Sequence, residues 1–276
     1  MKLKNITLLF VFLCIALTVG AQKKVVILGT NDTHSRIESL PSSDKRYAGS
    51  GGVEARAAFV NQIRSEYQNV LLFDAGDFLQ GTPYFNLFHG RVEAEAMDMI
   101  GYNAGTLGNH EFDYGLDTLK MVIRKLKYPI VNCNYDFSNT VMKGMVKPYI
   151  VLKKFGLKIG VVGVGVDPEG LIQKSRYEGM IFKPVISTTN FYAKILKEKE
   201  KCDFIICLSH IGYKDDIVLA EQSKNIDLII GGHSHTYMEK PDVRKNLHGK
   251  DVMIFQTGKN GAFIDKYEVE FEKVKR

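Results

Sequence analysis

The stretch Gly108-Asn109-His110-Glu111-Phe112-Asp113 decides the fold assignment, because it joins a short apolar run to a helix-like run. The apolar run covers residues 102–107 and the helix-like run covers residues 115–127. A strand-to-helix turn of this kind is where an α/β sheet exposes reactive side chains. The turn offers an Asn as a metal ligand, a His as an acid or cation, and an Asp to orient it. Taken alone, the stretch would equally fit a polar turn in which Asn and Asp act as caps.

Outward from this turn, apolar β-branched runs alternate with runs of helical spacing, as in parallel α/β proteins. The predicted strands on either side are residues 24–30, 69–73, 128–133, 204–208 and 226–230. The predicted helices are residues 53–67, 84–100, 115–127, 188–201 and 214–224. Antiparallel signals follow in a hairpin around Phe155-Gly156, with arms at 149–154 and 157–164, and in two late strands at 251–256 and 263–271. The pattern predicts one α/β domain with a mixed sheet or a pair of sheets.

The amino terminus has the features of a secretory signal peptide. Basic residues precede an apolar run at 6–19, and small residues lead to a cleavage site after Ala21. The run is shorter than the roughly 18 apolar residues of a membrane span. Cys14 suggests a lipoprotein signal, but the large residue before it does not suit one. We therefore expect a secreted or periplasmic protein, with a signal peptide at 1–21 and a single domain at 22–276.

Charge and cysteine content exclude several other classes of protein. The formal net charge is +6, and basic residues are mixed with acidic ones, which argues against a nucleic-acid-binding surface. No later segment is apolar enough to span a membrane. Beyond the signal, Cys133, Cys202 and Cys207 are too few and odd in number for a disulfide framework, so we expect buried free thiols and no zinc–cysteine site.

Metal-ligand types of side chain follow five of the predicted strands directly. They are Asp32 and His34, Asp77, Asn109, His210, and His233 and His235. The carboxyl ends of strands in such a sheet face one crevice, which would bring these residues together. Each motif alone could be a polar turn, a cap or a buried structural histidine, but five such motifs at strand ends favour a shared site. His89 and His248 lie in polar loops, and we expect them to be solvated.

The chemistry that suits these residues is a two-metal centre. Imidazole and carboxylate ligands without thiolates suit zinc, manganese, iron or cobalt. In an extended segment, the Asp-x-His and His-x-His spacings would point both side chains the same way. Asp77 is the natural bridging carboxylate, and nearby glycines let the backbone approach closely. Two ions roughly 4 Å apart can hold a hydroxide and stabilise both oxygens of an in-line displacement, which is phosphoryl transfer to water.

These motifs resemble the calcineurin-like metallophosphoesterases, and within them the secreted 5′-nucleotidase branch. The resemblance implies a four-layer αββα sandwich with two mixed β-sheets, and two divalent metal ions. By resemblance, one ion takes Asp32, His34, Asp77 and His235, and the other takes Asp77, Asn109, His210 and His233. His110 and Asp113 resemble the family's catalytic pair, in which the imidazole stabilises the transition state or protonates the leaving oxygen. Asp74 resembles a carboxylate that supports the ligands without binding the metal.

The resemblance covers only the amino-terminal half of that branch, whose second domain stacks the base and helps to hold the nucleotide. The chain ends at Arg276, where the sandwich would finish. From the sequence we expect either a separate polypeptide that supplies nucleotide binding or an enzyme that acts broadly on small phosphate esters. The polar loop at residues 35–52 is a candidate for substrate selection by this chain itself.

The leading functional hypothesis is a secreted phosphohydrolase that attacks phosphate esters of nucleotides with a metal-bound hydroxide. Nucleoside monophosphates, nucleotide sugars and cyclic nucleotides are all candidate substrates, as in nucleotide catabolism. One alternative is a broad phosphomonoesterase or phosphodiesterase without nucleotide preference. Another is a subunit or metal-binding module that needs a separate substrate-binding domain. The complete ligand set together with His110 favours catalysis.

Overall fold

The structure, a computed structural model, describes residues 23–271. Its main strands are β1 Lys23–Thr30, β2 Val70–Asp74, β3 Ala104–Gly105, β4 Tyr135–Asp136, β5 Tyr149–Lys154, β6 Leu157–Gly165, β7 Ile181–Phe182, β8 Phe204–His210, β9 Leu228–Ile230, β10 Asp242–Lys245, β11 Asp251–Phe255 and β12 Asp265–Phe271. Its α-helices are α1 Val53–Glu66, α2 Pro83–Phe88, α3 Arg91–Ile100, α4 Gly115–Lys125, α5 Val185–Lys194 and α6 Tyr213–Gln222. The predicted signal peptide at 1–21 lies outside the described residues.

A four-stranded mixed sheet begins the fold, in the order β12-β1-β2-β3. β1 pairs parallel with β2 and antiparallel with β12. Successive residues of β1 face opposite sides, so Val26 and Leu28 join one buried cluster while Val25 and Ile27 join another. The central strand β1 is therefore apolar on both faces, which is why its sequence is a continuous apolar run and does not alternate with polar residues.

A six-stranded mixed sheet follows, in the order β10-β11-β9-β8-β6-β5. β6, β8, β9 and β11 are mutually parallel, and the predicted hairpin is the antiparallel pair β5 and β6. In β8, Ile206 belongs to the cluster that also holds Val25, whereas Ile205 belongs to a third cluster. The second sheet is thus also buried on both faces.

Three apolar clusters separate four layers. The first cluster joins the four-stranded sheet to α1, α3 and α4, the second lies between the sheets, and the third joins the six-stranded sheet to α5 and α6. This arrangement confirms the expected αββα sandwich with two mixed sheets. The carboxyl ends of the parallel strands of both sheets therefore meet along one edge.

The structure differs from the predicted elements in several places. The helix predicted at 84–100 is two helices, because the chain turns through left-handed conformations at His89 (φ 51°) and Gly90 (φ 86°). The strand predicted at 102–107 shortens to β3. The strand predicted at 128–133 forms only isolated bridges, at Ile130 and Val131. The short strands β4, β7 and β10 were not predicted, and β10 has the half-exposed, polar composition of a sheet edge.

Two further expectations concern the three cysteines and membrane-spanning helices. Cys133, Cys202 and Cys207 are buried and free, as predicted. Within residues 23–271, no helix is long and apolar enough to cross a membrane.

Candidate metal centre

The edge where the two sheets meet carries all seven ligand-type side chains. Asp32 and His34 follow β1, Asp77 follows β2, and Asn109 follows β3. On the other sheet, His210 is the last residue of β8, and His233 and His235 follow β9. The four-stranded sheet thus supplies two carboxylates, one amide and one imidazole, and the six-stranded sheet supplies three imidazoles.

Most of these side chains stand on unusual backbone. Five of the seven have positive φ, which for residues other than glycine is uncommon and concentrates at functional sites. They are Asp32 (48°), His34 (47°), Asp77 (55°), His233 (74°) and His235 (53°). The expectation that Asp-x-His and His-x-His act as extended segments is therefore wrong. Their side chains converge because the chain makes tight left-handed turns beyond the strand ends.

Backbone hydrogen bonds hold these turns against one another. The N–H of Asp32 donates to the carbonyl of Gly76 at 2.9 Å, and the N–H of His34 donates to the carbonyl of Asp77 at 3.0 Å. The N–H of His233 donates to the Asp32 carboxylate at 3.0 Å, which ties the second sheet to the first. The relative positions of the ligand-type side chains are thus set by main-chain contacts.

One group of donor atoms comprises Asp32, His34 and His235, whose ligand atoms all lie within 4.8 Å of one another. The Nε2 atoms of His34 and His235 are 3.0 Å apart. Asp32 Oδ1 lies 3.3 Å from Nε2 of His235 and 3.9 Å from Nε2 of His34. The short spacing of these three donor atoms suits a shared cation.

A second group comprises Asp32, Asp77 and His210. Nε2 of His210 lies 3.1 Å from Asp77 Oδ2 and 3.9 Å from Asp32 Oδ1. Beside it, Nδ1 of His233 lies 2.8 Å from Oδ1 of Asn109. Asp32 is common to both groups, whereas the resemblance assigns the bridging role to Asp77. The two carboxylates are therefore the residues to compare experimentally.

The donor set suits divalent metal ions. His210 is fully buried, and its Nδ1 donates to the carbonyl of Ala75 at 2.7 Å, so Nε2 is the ring atom that faces the carboxylates and that would bind a cation in exchange for its proton. A buried Nδ1 of His34 also lacks a hydrogen-bond partner among the described residues. Ligands on one ion at about 2.1 Å lie roughly 3 Å from each other, which is the spacing of these donors.

The space around this cluster tolerates no additional atoms at Gly108. A Cβ there would lie 2.2 Å from Oδ1 of Asp77 and 2.6 Å from Nε2 of His210. Contacts under 3.0 Å are not found for real Cβ atoms, and both neighbours are candidate ligands. Glycine is therefore required so that the turn before Asn109 can pass between the two sheets.

The electrostatics of the cluster favour positive charge. Burial opposes ionisation of Asp77, but the nearby histidines, His210 first, outweigh it and hold its pKa below the usual value. Burial also opposes protonation of His210, yet Asp77 and Asp32 raise the pKa of His210 to about 10. Burial lowers the pKa of His34 and of His233 and so keeps both imidazoles neutral, the form that binds metals.

Glu111 has a structural role that the sequence reasoning missed. Its buried carboxylate accepts hydrogen bonds from three backbone N–H groups, those of Asp77 (2.8 Å), Leu79 (3.1 Å) and Gly108 (2.6 Å). The carboxylate thus joins the turn that carries Asp77 to the turn that carries Asn109. The only sequence signal was its position inside the central motif, since its partners lie up to 34 residues away.

Asn31 was also missed as a site residue. Its Nδ2 donates to Oδ2 of Asp32 and to the carbonyl of Gly258. Its Oδ1 accepts from the N–H of Thr257 at 2.8 Å. Asn31 therefore orients the Asp32 carboxylate and anchors the loop after β11 to the site.

Asp74 lies behind the cluster, where it supports the backbone. It is buried and accepts hydrogen bonds from Thr30 Oγ1 (2.6 Å) and from the N–H of Gly76 (3.0 Å). Burial raises the pKa of Asp74 to about 7. Its contacts hold the start of the turn that presents Asp77.

His110 and Asp113 lie at the open rim of the cluster. Nδ1 of His110 is 2.9 Å from Oδ2 of Asp113, and each side chain is about one-third exposed. The hydrogen bond to Asp113 raises the pKa of His110 to about 8. The N–H of His110 donates to Asp77 Oδ1 at 2.8 Å, so the imidazole is positioned by the same carboxylate that faces His210.

Comparison with known proteins identifies a family whose model covers the residues of this site. The family model described as "Calcineurin-like phosphoesterase" matches residues 25–237, which include all seven ligand-type side chains and the His110–Asp113 pair. The chain belongs to this family. The family, its relatives and the ligand-type cluster support metal-dependent hydrolysis of phosphoric esters as the chemistry of this domain.

Three similar proteins illustrate the relationship. The "Trifunctional nucleotide phosphoesterase protein YfkN" of Bacillus subtilis is 31% identical over 90% of this chain and 18% of its own length. "Snake venom 5′-nucleotidase" of Naja atra is 28% identical over 90% of this chain and 50% of its own length. The crystal structure of a 5′-nucleotidase precursor from Thermus thermophilus superposes with a TM-score of 0.85 and 30% identity, covering 91% of this chain and 52% of that chain. This chain thus spans about half or less of the length of these proteins.

Proposed function

We propose that this member of the calcineurin-like phosphoesterase family hydrolyses phosphate monoesters or diesters of nucleotides with two divalent metal ions. The observation that supports the proposal is the meeting of seven ligand-type side chains at one edge of both sheets, with the His110–Asp113 pair at the rim. The choice of nucleotides as the substrate class is based on the relatives, because both curated relatives quoted above are named as nucleotidases or nucleotide phosphoesterases.

Two sets of residues would hold the metal ions, whose identity among zinc, manganese, iron and cobalt is open. The first set is Asp32, His34, Asp77 and His235, and the second is Asp77, Asn109, His210 and His233. Bound divalent ions supply Lewis acidity toward phosphoryl oxygens and lower the pKa of water. The protein holds its ligands rigidly through backbone contacts and through Glu111 and Asn31, so little reorganisation is needed during the reaction.

The His110–Asp113 pair would act on the substrate directly. Asp113 binds Nδ1 of His110 and leaves Nε2 for a phosphoryl oxygen or for the leaving oxygen of the ester. A protonated imidazole there stabilises developing negative charge and can deliver a proton to the leaving group. The partial exposure of both side chains gives a substrate access to the pair.

The proposal includes export and domain organisation. Residues 1–21 would be a signal peptide cleaved after Ala21, and residues 22–276 would form one catalytic domain. Mass spectrometry of the amino terminus of the protein recovered from outside the cytoplasm tests the cleavage site. An intact amino terminus beginning at Met1 would contradict it.

The activity is tested on the purified chain after loading with manganese or zinc. Release of inorganic phosphate is measured for monoesters, and release of the nucleoside monophosphate is measured by chromatography for the nucleotide sugar and the cyclic nucleotide. AMP, a nucleotide sugar, a cyclic nucleotide and glycerol phosphate are compared in parallel, with Asp77→Ala as a control for contaminating phosphatases. Faster release from a nucleotide than from glycerol phosphate supports the proposal. Equal release from all esters would indicate a broad phosphoesterase, and no release would indicate that the chain needs a further substrate-binding domain.

A further inference from the structure

A cavity of about 330 Å³ opens beside the metal-ligand cluster, with His235 in its wall. The lower end of the size range for small-molecule sites is roughly 300 Å³. The cavity is built from the loop before α1, from the segment between β9 and β10, and from the segment between β11 and β12. Its remaining walls include Lys45, Arg46, Tyr47, Tyr237, Lys259 and Phe263. Because His235 belongs to both places, the cavity adjoins the site proposed for the phosphate.

Three aromatic rings form one wall of the cavity. The rings of Tyr237 and Phe263 lie 4.4 Å apart at an interplanar angle of 37°, and Tyr47 contacts Phe263 edge-on at 4.9 Å. Tyr237 is 46% exposed, so part of its side chain is open to solvent. Aromatic side chains that present an exposed face are suited to stacking with a planar ring.

The aromatic wall is held in a fixed relation to the cluster. The N–H of Asn260 donates to the carbonyl of Asp32 at 2.7 Å, and the N–H of Gly258 donates to the carbonyl of Thr236 at 2.9 Å. These bonds connect the loop before Phe263 to the segments that carry Asp32 and Tyr237. The rings are therefore positioned by the same backbone network as the metal ligands.

The loop that carries Tyr47 is also ordered. Oδ1 of Asp44 accepts hydrogen bonds from the N–H groups of Arg46 and Tyr47, at 2.9 and 2.7 Å. The N–H of Leu40 donates to the carbonyl of Ser50 at 2.8 Å, which closes the loop. The tight turn presents Tyr47 toward Phe263 while Lys45 and Arg46 stay exposed.

Charge around the cavity favours an anionic ligand. Lys45, Arg46 and Lys259 line it together with a single carboxylate, Asp44. That carboxylate is already hydrogen-bonded to the backbone of its own turn. The excess of positive charge at the rim would attract phosphorylated molecules, an effect that added salt screens.

We propose that this cavity binds the nucleobase of the substrate, which stacks on Tyr237 while the phosphate occupies the neighbouring metal-ligand cluster. The inference deepens the proposed function and rests on it for the position of the phosphate. It assigns to this chain a base-binding surface of its own, built from Tyr237, Phe263 and Tyr47. Tyr237 is then the residue that gives selectivity for nucleotides over aliphatic phosphate esters.

Steady-state kinetics of the full, manganese-loaded chain test the proposal with AMP and glycerol phosphate. Replacing Tyr237 by Leu should raise KM for AMP roughly tenfold, as expected when one base-stacking ring is lost. KM for glycerol phosphate should stay unchanged, and Tyr237→Phe, which keeps the ring, should behave as the wild type. Phe191→Leu is the matched control, because Phe191 is a comparably exposed aromatic on α5. An unchanged KM for AMP in Tyr237→Leu, or an equal rise for both esters, would overturn the proposal.

Binding of adenosine separates this inference from the activity. Saturation-transfer NMR on the metal-free chain reports contact through the adenine protons and needs neither phosphate nor catalysis. Signals from the wild type that disappear in Tyr237→Leu and persist in Tyr237→Phe support the base site, even if no ester is hydrolysed. Absence of signals from the wild type, or equal signals from all variants, would contradict the base site even if AMP is hydrolysed.

Discussion

The metal-ligand cluster and the aromatic cavity share His235 but are built in opposite ways. In the cluster, Asp32 and His210 are fully buried, and the turns from both sheets are bonded to one another. In the cavity, Tyr237 is nearly half exposed, and its neighbours come from connecting loops. The turns at the strand ends therefore hold the ligand-type side chains in fixed positions. The loops provide a surface that can contact the rest of a substrate.

This difference predicts two classes of variant. Changes in the cluster should affect every substrate alike, because they remove metal ions or the groups that act on the phosphate. Changes in the cavity should affect only substrates whose leaving group carries a planar base.

Replacing Asp77 by Ala should abolish hydrolysis of all esters and remove both metal ions, if Asp77 is the bridging ligand. Asp32→Ala should then retain one ion. Metal content by inductively coupled plasma mass spectrometry after dialysis measures both. Since Asp32 belongs to both donor groups in the structure, the reverse pattern would transfer the bridging role to Asp32.

Replacing His110 by Ala should lower kcat at least roughly a hundredfold for every ester, as for loss of a general acid. Metal content should not change, since His110 is at the rim and is not among the proposed ligands. The exposed His248, changed to Ala, serves as the control and should leave kcat unaffected. A loss of metal from His110→Ala would show that the imidazole is a ligand after all.

Replacing Glu111 by Gln should weaken metal affinity roughly tenfold to a hundredfold, because the amide cannot accept all three backbone N–H bonds and the turns would shift. Isothermal titration with Mn²⁺ measures the effect. The exposed Glu178, changed to Gln, is the matched control. Unchanged affinity for Mn²⁺ together with unchanged thermal stability would show that Glu111 does not support the metal site.

Removing the metal ions with a chelator should lower the melting temperature by roughly 5–10 °C at metal concentrations about a hundredfold above Kd. The cluster contains buried carboxylates whose repulsion a bound cation relieves. Scanning calorimetry of the wild type and of Asp77→Ala gives the comparison. A similar drop in the variant would mean that the chelated ions lie elsewhere.

The smallest effect concerns a partly buried carboxylate outside both regions. Burial raises the pKa of Asp265 from 3.8 to about 7, and its Oδ2 has no hydrogen-bond partner among residues 23–271. The folded protein thus favours the neutral acid, and its stability should fall as pH rises from about 4 to about 7. Asp265→Asn should lose this decline and be more stable than the wild type at pH 7 but not at pH 4. Melting temperatures that differ equally at both pH values would contradict this.

The sequence predicted the parts of the molecule that depend on local patterns. Apolar runs identified the central strands, and the residues directly after them were the ligand-type side chains that the structure brings together. The break at His89-Gly90 also had a local signal, since Gly commonly follows the end of a helix. It was missed because the apolar spacing of residues 84–100 continues across it.

Other features depend on contacts between distant residues and could not be read locally. Glu111 accepts bonds from residues more than thirty positions away, and Asn31 contacts residues after β11. The left-handed turns at Asp32 and His235 follow from the meeting of two sheets, which no single motif encodes. The aromatic cavity likewise combines residues near 47, 237 and 263, which only the folded chain places together.

Hydrolysis is proposed to depend on two metal ions held by the cluster. Titration of the metal-free chain with Mn²⁺ can follow phosphate release from AMP and the number of bound ions together. We expect release to rise from background to a plateau as two ions bind per chain, and Asp77→Ala to stay at background throughout. A plateau reached with one ion, or full release without added metal, would contradict the proposal.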